Sequence, residues 1–278
     1  MPTATASTTT DFPALTRGLR ADIIRMLEAA GSGHPGGSFS VIDLLAVLYA
    51  KHLNHRPAEP NWPDRDRLIL SKGHACPALY AVMAHHGYFP KSELAGLRKL
   101  GSPLQGHPDR LRLPGIEMST GSLGQGLSVA LGMALAAKMD GKSWRTWCIL
   151  GDGEMQEGQC WEALMAAPKF KLDNLVAIVD YNGGQIDGPV SEVLDLEPLA
   201  DKIRAFNWRT LVVDGHDHAA VDAAFADARK GGDGRPVAIV AKTLKGKGVS
   251  FMEHPNEWHG KAPNKEEAAR ALQELSHG

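Results

Sequence analysis

The chain has 278 residues, of which 43% are hydrophobic and 22% charged, and its formal net charge is −2 at pH 7. This composition is ordinary for a globular protein and lacks the excess of basic residues typical of nucleic-acid binding. The three cysteines, Cys76, Cys148 and Cys160, contain no C-x-x-C pair. They argue against a zinc knuckle or a disulfide framework and favour a reducing compartment.

The N-terminal segment MPTATASTTTDF is small and polar, which predicts a disordered tail over 1–12. It lacks the basic start and apolar centre of a secretory signal. No apolar run approaches the roughly 18 residues that can cross a bilayer. We therefore expect a cytoplasmic protein without membrane association, folded as one domain over 13–278.

Apolar periodicity in the first half of the chain predicts a helix over 15–30 and another over 41–53, the second capped by Ser40. The Pro-rich segment 56–67 predicts a surface loop, and a short strand follows at 68–70. Further helices are expected near 75–86, 91–100 and 124–139.

The second half alternates apolar strands with helices, which predicts a doubly wound α/β domain with a mostly parallel sheet flanked by helices. The strands are expected at 145–150, 174–180, 209–215 and 236–243, with a helix at about 157–167 and a charged helix, KEEAARALQELS, near the C-terminus. Ligands of such sheets bind beyond the carboxyl ends of the strands. Those ends carry the turns SKGH, LGDG, VDYN, VDGHDH and KTLKGKG.

The turn Gly151-Asp152-Gly153 resembles a phosphate-binding turn, yet it is acidic. Asp152 and Asn182 follow two strands and are 30 positions apart, the length of one βαβ unit. If the strands are neighbours, both side chains project from one edge of the sheet. With a carbonyl of the Gly183-Gly184 turn they would suit Mg²⁺ or Ca²⁺ joined to a diphosphate. The alternative is a helix cap and a turn residue without ligands.

Gly151-Asp152-Gly153 with Asn182 resembles the thiamine diphosphate signature. The resemblance implies that Asp152, Asn182 and the main-chain oxygen of Gly184 hold Mg²⁺, for which Ca²⁺ or Mn²⁺ can substitute, against the cofactor diphosphate. Many relatives have a larger apolar residue in the place of Gly184, so the turn is expected to be more flexible here.

A longer series of segments resembles transketolase over about 15–265. They are, in order, SGHPGGSFS, SKGHACPALY, GHPD, TGSLGQGLSVALGMALA, GDGEMQEGQCWEA, VDYNGGQIDG, VDGHD and WHG. The resemblance implies catalytic roles for His34, His107 and His259, the first two reaching the donor ketose. It implies cofactor contacts from His74, Gly121, Ser122, Leu123, Gly151, Asp152, Gly153, Glu154, Asn182, Ile186 and His259.

Other residues near these motifs have simpler interpretations. His216 is expected to hold a loop in place beside two aspartates. Lys245 and Lys247 could meet a phosphate, but a solvated mobile loop is the favoured interpretation. Glu157 and Glu162 resemble the acidic network between paired sites of the family and could equally be solvated helix positions.

No segment resembles the second domain of this enzyme class, which engages the aminopyrimidine ring of the cofactor. We therefore predict the diphosphate-binding subunit of a split transketolase, with a separately encoded pyrimidine-binding chain in an α2β2 assembly and 119–137 as a contact surface. The expected reaction transfers a two-carbon ketol unit between sugar phosphates. The alternatives are a specialised transketolase, a deoxyxylulose-phosphate-synthase-like enzyme and a non-catalytic cofactor-binding paralogue.

Overall fold

The computed structural model describes residues 10–253 and 256–277. Within them, five parallel strands form one sheet in the order β1-β2-β3-β5-β4. The strands are β1 Arg67–Leu70, β2 Thr146–Gly151, β3 Leu175–Tyr181, β4 Arg209–Asp214 and β5 Val237–Lys242. The predicted parallel α/β sheet is confirmed. β2 and β3 are neighbours, and Gly151 pairs with Asp180, so their carboxyl ends lie side by side.

Helices cover both faces of the sheet. They are α1 Phe12–Ala30, α2 Pro35–Val47, α3 Cys76–His85, α4 Gln125–Met139, α5 Gly158–Lys169, α6 Val190–Val193, α7 Leu199–Ala205, α8 His218–Lys230 and α9 Lys265–His277. Trp147 and Ile149 pack in one core with α1, α2, α3, α8 and α9, whereas Cys148 and Leu150 pack in the other with α4, α5 and α7. This alternation along β2 is the pattern of a strand buried on both faces. None of the described helices is long and apolar enough to cross a membrane.

The first helix begins earlier than the predicted tail allows. The Asp11 side chain accepts a hydrogen bond of 3.0 Å from the Ala14 amide, as a helix cap does. Phe12 is buried, and its ring stacks on His218 with centroids 5.4 Å apart. The prediction of a disordered tail is therefore wrong for Asp11 and Phe12, and residues 1–9 lie outside the described part of the chain.

The second helix also differs from its prediction, because it begins at Pro35 and Ser40 lies inside it. Proline suits the first turn of a helix, but two glycines in that turn argue against a helix from the sequence alone. They are needed for close packing. A Cβ on Gly36 would lie 2.9 Å from Cγ of Lys245, and one on Gly37 would lie 3.2 Å from Nε2 of His74.

Two further elements depart from expectation. β4 is an edge strand whose residues are partly exposed, with Val212 44% exposed, rather than buried on both faces. The helix expected over 91–100 is a short 3₁₀ turn, Lys91–Gly96. The chain then leaves helical geometry, and Arg98 adopts the left-handed region with φ of 60°.

Candidate functional site

The acidic turn after β2 is tied directly to the turn after β3. Asp152 is 1% exposed, and its carboxylate accepts hydrogen bonds from the amides of Gly153 (2.8 Å) and Gly183 (2.5 Å). Burial raises the pKa of Asp152 to about 6, and the nearby Asp180 charge acts in the same direction. A cation bound beside this carboxylate would favour its ionised form, so the position is suited to a metal ion.

The three predicted metal ligands line one cavity of ≈280 Å³. Asn182 Oδ1 accepts a hydrogen bond of 3.2 Å from the Gly184 amide, and the Gly184 carbonyl faces the Lys245 ammonium at 2.9 Å. A carboxylate, an amide oxygen and a carbonyl are hard oxygen donors of the kind that Mg²⁺ prefers. In the described ranges, by contrast, no three His, Cys, Asp or Glu side chains are grouped to hold a metal. The residues present therefore fit a hard divalent cation that keeps ligand positions for other oxygens.

Two buried lysines, Lys72 and Lys245, line the same cavity. Lys72 was not identified as a candidate from the sequence. Lys72 is 1% exposed, and its ammonium lies 2.5 Å from Asp180 and 3.2 Å from the Gly37 carbonyl. Lys245 is 2% exposed and bonds the Gly184 carbonyl and, at 2.8 Å, Nδ1 of His259. Burial, with the Lys72 charge, lowers the pKa of Lys245 to about 8.

The expectation of a solvated loop at Lys245 is therefore wrong. Gly36 passes so close to its stem that the side chain is enclosed between α2 and the turn at Gly184. A buried ammonium next to a cavity is a binding group for anions such as phosphate. The available signal in the sequence was the Gly-Lys loop at the end of β5, at the same sheet edge as the other turns.

Asp180 is a second residue that the sequence reasoning missed. It is fully buried and accepts hydrogen bonds from Lys72, Ser40 (2.6 Å), Thr243 and, at 3.4 Å, Asn182. This carboxylate thus joins α2, β3 and the loop after β5 beneath the cavity. Its position in the turn VDYN, two residues before the predicted ligand Asn182, was the signal that could have identified it.

Four of the predicted histidines form one cluster around His34. Its ring centroid lies 5.4 Å from that of His74, 6.1 Å from His107 and 5.7 Å from His259, and the rings of His74 and His259 are 5.3 Å apart. Burial lowers the pKa of His34 to about 4, helped by Arg98, and that of His259 to about 3, helped by Lys245. A neutral imidazole has one ring nitrogen that donates a hydrogen bond and one that accepts a hydrogen bond.

The same cause acts on the other two rings. Burial places the pKa of His74 well below its usual value, with the Lys72 charge adding to the effect. Burial also lowers the pKa of His107, and Arg98 contributes. The whole cluster is therefore held neutral by desolvation and by the positive charges that surround it.

The predicted glycine-rich segment lies beside this cluster. Leu123 lines the cavity, as do Gly151, Gly153, Ile186 and Glu157. A Cβ on Gly121 would lie 3.0 Å from the His107 ring, so glycine allows the close approach. Ser122 is exposed, and Glu162 is exposed on α5.

Glu154 has a structural position as well as a place in the cavity wall. It is buried, and its carboxylate accepts hydrogen bonds from the Ser71 hydroxyl and from the amides of Gly124 (2.9 Å) and Gly151 (3.1 Å). Burial raises its pKa. These bonds hold the acidic turn against β1 and the start of α4.

His216 behaves as predicted, because it holds a loop in place. Its Nδ1 lies 2.7 Å from Asp43, and its Nε2 lies 2.8 Å from the Leu244 amide. The ring therefore joins the turn after β4 to the loop that contains Lys245.

Comparison with known proteins accounts for this arrangement. Residues 13–277 match the family described as transketolase, thiamine diphosphate binding domain. 6-deoxy-6-sulfo-D-fructose transketolase subunit SqwG of Clostridium sp. (strain MSTE9) is 46% identical over 92% of this chain and 94% of its own length. An apulose-4-phosphate transketolase subunit of Phocaeicola vulgatus is 40% identical over 92% of this chain and 91% of its own length.

The solved structure of transketolase from Leishmania mexicana superposes with a TM-score of 0.90 at 31% sequence identity. The superposition covers 96% of this chain but 41% of the Leishmania chain, so the present chain spans less than half of that enzyme. Sequence and fold agree over nearly the entire length. The chain therefore belongs to the transketolase family, in which it corresponds to the thiamine diphosphate-binding domain.

Proposed function

We propose that this chain is the diphosphate-binding subunit of a split transketolase, which transfers a two-carbon ketol unit from a ketose phosphate to an aldose phosphate. The observation that carries the proposal is a cavity at the carboxyl edge of the sheet, where a hard-oxygen set and two buried lysines lie together. The two bacterial relatives named as subunits of transketolases have nearly the same length as this chain, which supports a division of the enzyme between two chains.

In this proposal Asp152, Asn182 and the Gly184 carbonyl hold Mg²⁺, which Ca²⁺ or Mn²⁺ could replace. Lys245 and Lys72 neutralise the diphosphate, and the raised pKa of Asp152 supports a cation beside it, because a metal ion would favour the ionised carboxylate.

The histidine cluster, of which His74 lines the cavity, supplies proton transfer. Thiamine diphosphate, when bound, supplies the nucleophilic carbon and the electron sink that cleavage of a ketose carbon–carbon bond requires. His34, His107 and His259 then exchange protons with the sugar hydroxyls and carbonyl oxygen as general acids and bases. Burial lowers the pKa of all three rings, so each is neutral at pH 7 and presents one hydrogen-bond donor and one acceptor to the sugar oxygens.

A pyrimidine-binding chain completes the site in an α2β2 assembly. Large apolar side chains stand exposed on α4, α5 and the turn that follows, with Met139 77%, Met165 64% and Phe170 46% exposed. The exposed Glu157 and Glu162 lie close by on α5 and its start, as the acidic network between paired sites would require. An apolar, charge-flanked surface of this kind supports contact with a partner chain.

The substrates are sugar phosphates, and the protein acts in the cytoplasm. The names of two relatives, which refer to 6-deoxy-6-sulfo-D-fructose and apulose-4-phosphate, favour a specialised pathway of sugar breakdown over the pentose phosphate route. Substrate choice rests partly on the partner chain, so the acceptor sugar is a property of the assembly.

The test is reconstitution with a transketolase-like pyrimidine-binding chain from the same organism. Thiamine diphosphate, Mg²⁺ and a donor ketose phosphate should give two-carbon transfer to an aldose phosphate only when both chains are present. Turnover by this chain alone would contradict the split site. Cofactor binding without transfer to any of a panel of aldose phosphates would favour the non-catalytic paralogue.

A further inference from the structure

We propose that His216 is a positioning residue for the diphosphate site, because it orients Lys245 through the main chain of Leu244. The inference rests on the proposed function, since it concerns the lysine assigned to the cofactor diphosphate. His216 itself lies outside the cavity, in the turn after β4, and lines a different depression together with His218 and Lys247.

Both ring nitrogens of His216 are engaged, which determines where its proton lies. Leu244 N–H can only donate, so Nε2, at 2.8 Å, must be the acceptor. The proton is therefore on Nδ1 and is donated to Asp43 at 2.7 Å. His216 thus joins the buried carboxylate of Asp43 to the main chain next to Lys245 through two hydrogen bonds.

Asp43 is itself held in a fixed position. It is 2% exposed and lies in α2, the same helix that begins beside His34. Arg20 bonds both of its oxygens at 2.6 and 3.3 Å, and His218 bonds one of them at 2.9 Å. Hydrogen bonds from this many donors fix the orientation of the carboxylate, and the carboxylate in turn orients the ring of His216.

The main chain is anchored by hydrogen bonds on both sides of Leu244 and Lys245. The Thr243 amide bonds the Tyr181 carbonyl at 2.9 Å, and the Gly246 amide bonds the Gly36 carbonyl at 3.1 Å. Leu244 lies between these two anchors, and His216 is the side chain that fixes it. Loss of the Leu244 bond would leave the peptide between these anchors less firmly oriented, so the ammonium would be held less firmly at 2.9 Å from the Gly184 carbonyl.

Three variants separate positioning from general stability. His216→Asn keeps a donor for Asp43 but removes the acceptor for Leu244, whereas His216→Gln restores an acceptor near the position of Nε2. His218→Asn is the matched control, because it removes one bond to the same carboxylate without touching the Leu244 amide. Each variant is assembled with the pyrimidine-binding chain, and the dissociation constant of thiamine diphosphate is measured by calorimetry at saturating Mg²⁺.

His216→Asn should weaken cofactor binding about 3- to 10-fold, the range for loss of one hydrogen bond. His216→Gln and His218→Asn should stay within about 2-fold of wild type. Equal affinity in wild type and His216→Asn, or an equal loss in His218→Asn, would overturn this proposal alone. A wild-type complex that does not bind the cofactor would overturn the proposed function, and this inference with it.

A measurement on the wild-type complex keeps the proposal testable even where a variant fails to fold. ¹⁵N NMR of the imidazole should show the proton of His216 on Nδ1, with Nε2 unprotonated. A proton on Nε2 would contradict the hydrogen bond to Leu244 and overturn the proposal. Hydrogen exchange should also find the Leu244 amide protected in wild type and less protected in His216→Asn.

Discussion

Lys72 and Asp180 form an ion pair in which both side chains are almost completely removed from water, at 1% and 0% exposure. Such a pair is costly to break, because the remaining charge stays buried without a partner. Asp180→Asn should therefore lower the free energy of unfolding by about 3–5 kcal/mol. Urea unfolding of the purified chain measures this loss. Glu192→Gln makes the same chemical change at an exposed position and should be nearly neutral, and a similar small effect for Asp180→Asn would contradict the assignment.

Lys245 and Lys247 are two residues apart but lie in different surroundings. Lys245 lines the cavity, whereas Lys247 lies beside His216 and His218. Lys245→Met should weaken thiamine diphosphate binding by the assembled complex about 10- to 100-fold, because a hydrogen bond to a charged group contributes about 1.5–3 kcal/mol. Calorimetry measures the change. Lys247→Met should bind as wild type does, and equal effects of the two substitutions would indicate a general charge effect.

The ligand pair Asp152 and Asn182, which was predicted, and Lys245, which was expected in a solvated loop, show what a sequence can and cannot reveal about a residue. Asp152 and Asn182 follow buried strands at the spacing of one βαβ unit, so their meeting at the sheet edge could be expected. Lys245 stands in a loop rich in Gly and Lys, which is typical of solvent-exposed chain. Its burial depends on Gly36, which is far away along the chain, and no local pattern contains that contact.

At the scale of elements, α4 offers a matched pair of glycines. A Cβ on Gly126 would lie 2.3 Å from the Ser71 hydroxyl oxygen, whereas one on Gly132 would meet nothing within 4 Å. Gly132→Ala should raise the free energy of unfolding by about 0.5–1 kcal/mol, because alanine favours the helix. Gly126→Ala should lower it. Urea unfolding of the two variants tests the packing of α4 on β1, and stabilisation by both would contradict that packing.

Asp43 and the three side chains that bond it, Arg20, His216 and His218, connect α1 and α2 to the turn before α8. This cluster makes part of the free energy of unfolding dependent on pH. Burial acts to raise the pKa of Asp43, but hydrogen bonds from His216 and His218 and the charge of Arg20 outweigh it and hold that pKa well below its usual range. Its stabilising contribution is therefore complete above about pH 4, the ordinary pKa of Asp, and is lost as the pH falls further.

Asp43→Asn should thus destabilise the chain at pH 7, and the difference in free energy of unfolding from wild type should narrow as the pH falls below about 4. Urea unfolding of both proteins at several pH values measures the difference. A difference that is constant from pH 7 to pH 3 would show that the ionised carboxylate is not what stabilises these elements.

Elements with a strong internal pattern were predictable, and those shaped by distant contacts were not. β2, β3 and β5 are apolar runs between turn residues and lie within one residue of their predicted ends. α2 begins five residues before its predicted cap, Ser40. The glycines in its first turn do not end the helix, because they leave room for the side chains of Lys245 and His74 to pack against it. β4 has an apolar sequence but is partly exposed, since its place at the edge of the sheet follows from strand order.

At the scale of the whole molecule, the ligand-binding features converge on one side of the fold. The strand ends bring the acidic turn, the lysine loop and the histidine cluster together, while exposed apolar side chains lie on α4 and α5. The order of motifs along the chain made this grouping and the parallel sheet predictable. The electrostatics depend on the burial of Lys72, Asp180 and Lys245, which only the folded chain defines.

The most direct test is the Mg²⁺-dependent affinity of the two-chain complex for thiamine diphosphate, measured by calorimetry for wild type, Asp152→Ala and Glu192→Gln. The account predicts that wild type and Glu192→Gln bind the cofactor only with a divalent metal and that Asp152→Ala does not bind it measurably. Unchanged affinity in Asp152→Ala would contradict the assignment of this turn to the metal and diphosphate.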